Sequence, residues 1–285
     1  MKPRLRYAST ALALLLALAV PVAAQAPPAA QTPAAQTPDD PDLDISFSQP
    51  DFTLVALPTT LRLPKFKSAF RVTHRFTRPL GDGSFGDLAG DLFGLDSGAQ
   101  IGLEYRFGLM RGTQVGIHRT SDRTIMFFAQ HEVVAEGTWL PVTISALATI
   151  DGTNNFKDSY SPGLGAVISR TLGQYGALYL EPVWINNASL LPSEVVESND
   201  SFLLGLGARI RIRPTVYLAF EGVPRVAGHD PLSPLISFGL EKRSGGHMFQ
   251  LTVTNGVGTT FGQMARGAAN TDDWRFGFSI SRKFY

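Results

Sequence analysis

Several runs of this sequence set a charged residue on every second position. In "AQIGLEYRFG", Glu104 and Arg106 alternate with Ile101, Leu103, Tyr105 and Phe107. Arg71 and Arg75 alternate with Phe70, Val72 and Phe76, and Arg209 and Arg211 with Leu206, Ala208, Ile210 and Ile212. Glu221, Glu241 and Arg275 take the same phase in three further runs. Alternate residues of a strand share a face. One face therefore gathers Arg71, Arg75, Glu104, Arg106, Arg209, Arg211, Glu221, Glu241 and Arg275, and the other face is apolar. Two chemistries follow. Rings of arginine around water select anions in a pore. Arginine forked onto glutamate across a narrow interior closes it. The choice depends on which face is inside.

The same survey tests for catalysis. A barrel lipase needs a hydroxyl activated by a histidine that a third polar group orients. The nearest approach is "GIHRTSD", where His118 and Thr120 share a face, with Asn154 and Asn155 further along. Threonine stands where such a site would carry serine, and His118 reads better as a satisfied polar residue. Asp82, Asp87 and Asp91 in "DGSFGDLAGD", with His229 and Asp230 in "GHD", could meet as a protease-like rim. Acids in glycine-rich loops are more often turn formers. Their spacing matches no defined calcium loop. No catalytic residue, metal ligand or cofactor site is assigned, and the chain is read as a non-enzyme.

These residues need elements to position them. From Lys67 onward, segments of strand length alternate and are punctuated by Gly, Pro, Asn and Asp, the pattern of an all-β chain. The strands are expected at 67–78, 98–108, 113–119, 124–134, 139–150, 162–171, 175–184, 201–212, 215–223, 234–242, 247–254 and 273–284, about twelve. The register of "RTIMFFAQHEVVAE" stays open, because both of its phases begin apolar and end polar. Connections alternate between short ("LMRG", "AEGT", "TLGQ", "RPT", "RSGG") and long (79–97, 151–161, 185–200, 224–233, 255–272), with "RTSDR" the exception. That sorting is the habit of a transmembrane barrel. The fold expected is an up-and-down antiparallel transmembrane β-barrel, its apolar face on lipid and its charged face in the lumen. Trp139, Trp184 and Trp274 fall near strand ends, where an aromatic girdle lies. The terminal "WRFGFSISRKFY" is an amphipathic strand rich in aromatics.

The N-terminal part reads differently. "MKPRLRY", "ALALLLALAV" and "PVAAQA" form the three regions of a secretory signal peptide, assigned to 1–24. The Pro/Ala/Gln tract after it cannot bury enough apolar surface to order itself, and a disordered linker is drawn over 25–48. The barrel domain takes 49–285, beginning with a pre-barrel segment. Three prolines in 42–66 argue against a central strand, so that segment is expected in or against the barrel. Removing Lys2, Arg4 and Arg6 with the leader turns 25 basic and 24 acidic residues into a net charge of −2, so the basic precursor pI gives no reason to expect nucleic acid. With no cysteine, no disulfide holds the exported chain. The expected partners are outer-membrane lipid and the barrel-assembly machinery, and the expected location is the outer membrane of a Gram-negative-type bacterium.

The fragments "FRVTHRF", "DLFGLDSGAQIGLEYRFGL", "QVGIHRTSDRT", "FQLTVTNGVGTT" and "WRFGFSISRKF" occur in order over roughly 55–285. Together they resemble an uncharacterised bacterial β-barrel family, domain-of-unknown-function family 5777. The resemblance implies an envelope barrel and brings no activity or site residue with it. The function expected is a narrow passive channel for small solutes, anions first if the arginines face water. The alternative is a closed structural or docking barrel.

Overall fold

The computed structural model describes residues 46–191, 195, 196, 198–229 and 232–285. The leader and nearly all of the linker lie outside the described residues, although Ser46–Ser48 are within them. Thirteen strands are described: β1 Ser68–Phe76, β2 Ala99–Met110, β3 Thr113–Thr120, β4 Ile125–Val134, β5 Thr143–Gly152, β6 Tyr160–Thr171, β7 Gly176–Ile185, β8 Ser201–Arg213, β9 Val216–Val223, β10 Arg225–Gly228, β11 Leu235–Ser244, β12 His247–Thr254 and β13 Arg275–Phe284. All pairings are antiparallel. The ring closes where β1 pairs with β13, Val72 opposite Ile280. β10 continues β9 past Pro224 and pairs with the same neighbour, β8. Proline lacks the N–H for the ladder, but the Pro224 carbonyl still accepts from the Leu204 amide at 2.9 Å. The closed ring is therefore one of twelve strands.

The faces fall as the alternation requires. Ile101, Leu103 and Tyr105 point outward, while Glu104 and Arg106 are buried inside. The register left open for β4 resolves with Met126, Phe128 and Gln130 inward and Phe127 outward. Most strand ends lie within two residues of expectation, and one boundary differs by more. β5 begins at Thr143 rather than 139, because Gly137 closes a turn onto the Leu140 carbonyl and Pro141 follows with no N–H to give.

Short turns and long loops occupy opposite ends. In the first long loop, Ser84 and Asp87 form a reciprocal capping box on the helical turn Phe85–Gly90. Asp91 takes a hydrogen bond from Ser97 (2.6 Å) and an ion pair from Arg78 (2.7 Å), and both hold its carboxyl below the usual range. These acids of the supposed rim site build the loop itself. His229 gives its amide to the Asp200 carbonyl, and Asp230 lies outside the described residues.

The lumen is filled from both ends. Residues 46–66 enter from the short-turn end, and Phe52, Leu54, Val55, Leu57 and Leu63 are almost fully buried. From the long-loop end, 255–272 folds inward with a helical turn, Phe261–Arg266. Its Phe261, Met264 and Ala265 join one apolar cluster with inward Val183, Ile185 and Leu203 of the wall.

An outward apolar face in lipid makes a definite prediction. Leu103→Arg, near the middle of β2, should destabilise the folded barrel by about 2–4 kcal/mol. Equilibrium unfolding in lipid vesicles measures this. A loss below about 1 kcal/mol, the value expected for an interfacial position, would contradict the assignment of that face.

Candidate functional site: the seat of the lumenal hairpin

The segment "PDFTLVALPTTL" turns back on itself inside the barrel. The Leu54 amide donates to the Leu57 carbonyl (2.8 Å) and the Thr59 amide to the Phe52 carbonyl (2.8 Å), with Thr53 opposite Pro58. Such a short hairpin satisfies few of its own polar groups, and a buried backbone group without a partner costs as much as a lost hydrogen bond. The barrel wall supplies the partners.

Glu221 of β9 is the centre of the seat. Its Oε2 accepts from the amides of Val55 (3.0 Å), Ala56 (2.8 Å) and Leu57 (3.0 Å), and its Oε1 from Ala56 (3.0 Å). Three successive N–H groups form a concavity suited to an anion, and bonds to a charged acceptor are the stronger kind. The carbonyls are taken by cations and amides. Arg71 and Arg75 of β1 both donate to the Val55 carbonyl, at 3.0 and 3.1 Å. Gln250 of β12 donates to the Leu54 carbonyl (2.6 Å), and Gln130 of β4 to that of Thr59 (2.8 Å). Gln114 reaches the Leu61 carbonyl (3.2 Å). Arg209 of β8 forks onto Glu241 (2.8 and 2.9 Å) and spends its remaining donors on the carbonyls of Asp51 and Thr53.

Shape completes the seat. Gly205 and Gly207 of β8 face inward, and the wall there is only backbone. Leu57 packs over Gly205, where an added Cβ would stand 3.1 Å from its methyls. A Cβ on Gly207 would run into Leu54.

Of the nine residues singled out by sequence, Arg71, Arg75, Glu104, Arg106, Arg209, Glu221 and Glu241 are buried inside the ring. Arg106 pairs with Glu104 (2.9 and 3.1 Å) and lies over the Phe128 ring at 4.6 Å. Arg211 and Arg275 stand at opposite ends. Arg211 caps the Pro214 carbonyl at the short-turn mouth. Arg275 holds Thr77, Asn255 and Asp273 carbonyls under the long loops. The expected closure by arginine–glutamate forks is thus partial, because most of the lumen is filled by the chain itself.

Sequence reasoning missed Asp151, Glu181, Gln114 and Gln130 as members of the lumenal wall. The period-two phase of "GALYLEPVWI" contains the signal for Glu181. Asp151 is the second-last residue of β5 instead of the start of a loop. It accepts from the Thr260 hydroxyl and, at 3.0 Å, from the Gly262 amide, and so anchors the inward helical turn. His118 meets Thr259 at 3.3 Å and Glu104 at 3.6 Å. The Thr120 hydroxyl goes elsewhere, to Asp122 and the Thr124 carbonyl. The cavity beside His118 measures about 20 Å³, room for about one water.

A closed antiparallel ring with an apolar exterior and polar interior defines a membrane β-barrel. The chain belongs to the family described as membrane bound beta barrel domain (DUF5777), which matches residues 51–284. Among solved structures it is similar to the NanC porin, at 7% identity and a TM-score of 0.51, over 77% of this chain and 99% of that one. OmpT, an outer membrane protein of Vibrio cholerae, is matched at 9% identity and a TM-score of 0.36, over 77% and 97%. The NanC likeness is one of fold. No curated protein matches the chain.

Two substitutions test the seat. Glu221→Ala leaves the amides of Val55, Ala56 and Leu57 short of a partner, at about 1–3 kcal/mol per stranded group. Hydrogen exchange at Val55–Leu57 should accelerate at least tenfold, since about 1.4 kcal/mol is a factor of ten. Gly207→Leu should do the same by filling the space of Leu54, with every polar partner intact. Unchanged exchange in both variants would show that the hairpin is not held there.

Proposed function

We propose that this protein is an outer-membrane barrel serving as a stoppered passage for small polar solutes, with residues 46–66 as the main stopper. In this reading the 255–272 loop is a second closure from the other end, and the chain performs no catalytic step. The barrel-assembly machinery inserts the protein, and lipid surrounds it.

One observation carries the reading: the wall holds more buried hydrogen-bonding capacity than the stopper uses. Among the described residues, both carboxylate oxygens of Glu181, the Tyr217 hydroxyl, and Nε and Nη1 of Arg71 are buried without a hydrogen-bond partner. Permanently dry interiors satisfy nearly all such groups. A wall covered by chain in one state and by water in another would carry this excess. The attachment fits as well. Among the described residues, no backbone ladder ties 46–65 to a strand, and the contact with β2 is made at Phe66 and Lys67. The hairpin can therefore leave without unpairing the barrel.

The preference for anions expected from sequence is not part of the proposal. The buried wall carries Arg71, Arg75, Arg106, Arg209 and Arg225 against Glu104, Asp151, Glu181, Glu221 and Glu241. Asp151 and Glu181, unseen at first, remove the basic excess.

A second reading, a permanently closed docking or structural barrel, draws support from the filling of both lumenal halves. Planar-bilayer conductance separates the two. The full chain should show a quiet baseline with rare openings. Deletion of 46–66 should increase open time, and shortening 257–268 in addition should give a steady conductance. If that doubly shortened chain folds, as judged by heat-modifiable gel mobility, and still does not conduct, the closed reading holds.

A further inference from the structure

The seat of the hairpin reads backbone rather than side chains. Between Phe52 and Thr59, the wall's hydrogen bonds go to main-chain atoms among the described residues. Glu221 takes three successive amides, and Arg71 and Arg75 share one carbonyl. Gln250, Gln130 and Arg209 take the carbonyls of Leu54, Thr59 and Thr53. Side chains of the tip enter where the wall is bare, Leu57 over Gly205 and Leu54 against Gly207. The seat also has a polarity. The tip turns its amides toward β9 and the Val55 carbonyl toward β1. Another peptide of similar shape would meet the same groups.

The wall further holds groups for which an internal stretch of chain has no use. Glu181 of β7 stands beside the tip. A Cβ on Gly205 would lie 2.9 Å from that of Glu181 and 3.1 Å from the methyls of Leu57. Glu181 is fully buried, neither of its carboxylate oxygens has a hydrogen-bond partner, and Glu221 is close enough to repel it. A bare carboxylate at membrane depth calls for a cation. Nε and Nη1 of Arg71 and Nε of Arg75 are likewise buried without a partner. They stand across the lumen, since β1 and β7 are six strands apart in either direction around the ring. An ammonium and a carboxylate are what a free peptide has and a hairpin within a chain lacks. The spare acid lies on the side that takes amides, and the spare arginine donors on the side that takes a carbonyl.

We propose that the seat, once the hairpin leaves it, binds short peptides with free ends, and that these are the solutes of the passage. The inference rests on the stopper reading, because solute and stopper compete for the same groups. The main chain of the peptide replaces Val55–Leu57 against Glu221 and the Val55 carbonyl against Arg71 and Arg75. Its ammonium meets Glu181, and its carboxylate takes the spare donors of the two arginines. Apolar side chains fit over Gly205 and Gly207. The affinity is weak, since a passage must release what it binds.

The test uses the full chain in phosphatidylcholine vesicles and reads hydrogen exchange at residues 52–59 by mass spectrometry, with trialanine added. A peptide that binds only the vacated seat multiplies the open population by one plus the ratio of its concentration to its dissociation constant. With a dissociation constant of about 1 mM, about 10 mM trialanine should accelerate exchange about tenfold. N-acetyl-trialanine amide keeps the backbone without the end charges and should accelerate it less. Ammonium acetate, which supplies the charges without the backbone, and glucose should leave it unchanged. In Glu181→Gln the response to trialanine, relative to that variant without peptide, should fall toward that of the blocked peptide. Equal acceleration by ammonium acetate or glucose would overturn the peptide as solute. So would protected amides that trialanine does not move, and either result leaves the stopper in place. Equal action of the blocked peptide would overturn the assignment of the two ends. Unprotected amides without any peptide would overturn the stopper itself.

Discussion

A stretch of irregular backbone carried to membrane depth must have every polar group met by protein. The hairpin at 50–61 is such a stretch, and the Glu221 carboxylate that takes three of its amides is the contact around which the lumen is arranged. A carboxylate there favours a cation nearby, which Arg75 supplies, and Arg75 and Arg71 together take the Val55 carbonyl. Arg209 must then be balanced in turn, which Glu241 does, and its spare donors serve Asp51 and Thr53. The polar side chains that first suggest a water-filled pore act here as the solvent of a short peptide.

The two halves of the lumen solve this problem differently. Toward the short turns the wall is polar and the inserted chain is irregular. Toward the long loops the wall sets apolar Val183, Ile185, Leu203 and Leu235 beside Asp151, Ser201 and Arg225, and the inserted chain carries a helical turn that meets most of its own polar groups. Phe261, Met264 and Ala265 can therefore pack against Val183, Ile185 and Leu203 as in any core. Asp151 needs to cap only the start of that turn, at the Gly262 amide and the Thr260 hydroxyl. Between the two fillings, the Arg106–Glu104 pair closes the middle, with Phe128 and Phe52 on the faces of the guanidinium.

Much of the fold was legible because a strand has a side-chain period of two and the exterior of a membrane barrel is uniformly apolar. Ile101, Leu103 and Tyr105 had to share a face whatever lay opposite them. The departures have local causes, such as Pro141 delaying β5. Pro224 likewise splits one strand into β9 and β10 without changing the count of the ring. The wall residues that escaped notice are those that alternation marks only weakly: Gln114 and Gln130 among apolar neighbours, Glu181 beside Pro182, and Asp151 at a strand end.

By itself the sequence determined the class of fold, the phase of most strands and the sorting of loops, because these follow from local periodicity and turn chemistry. It also placed Glu104 and Arg106 opposite the lipid face. Only the tertiary structure decided what those inward charges do. Residues 46–66 show no strand period and carry three prolines, which leaves open locally whether they enter the ring or lie against it. Their position depends on contacts across more than a hundred and fifty residues of chain, such as Glu221 with Ala56. It depends also on the absence of side chains at Gly205 and Gly207, which makes room for Leu57 and Leu54. Complementarity of that kind exists only once the ring has closed.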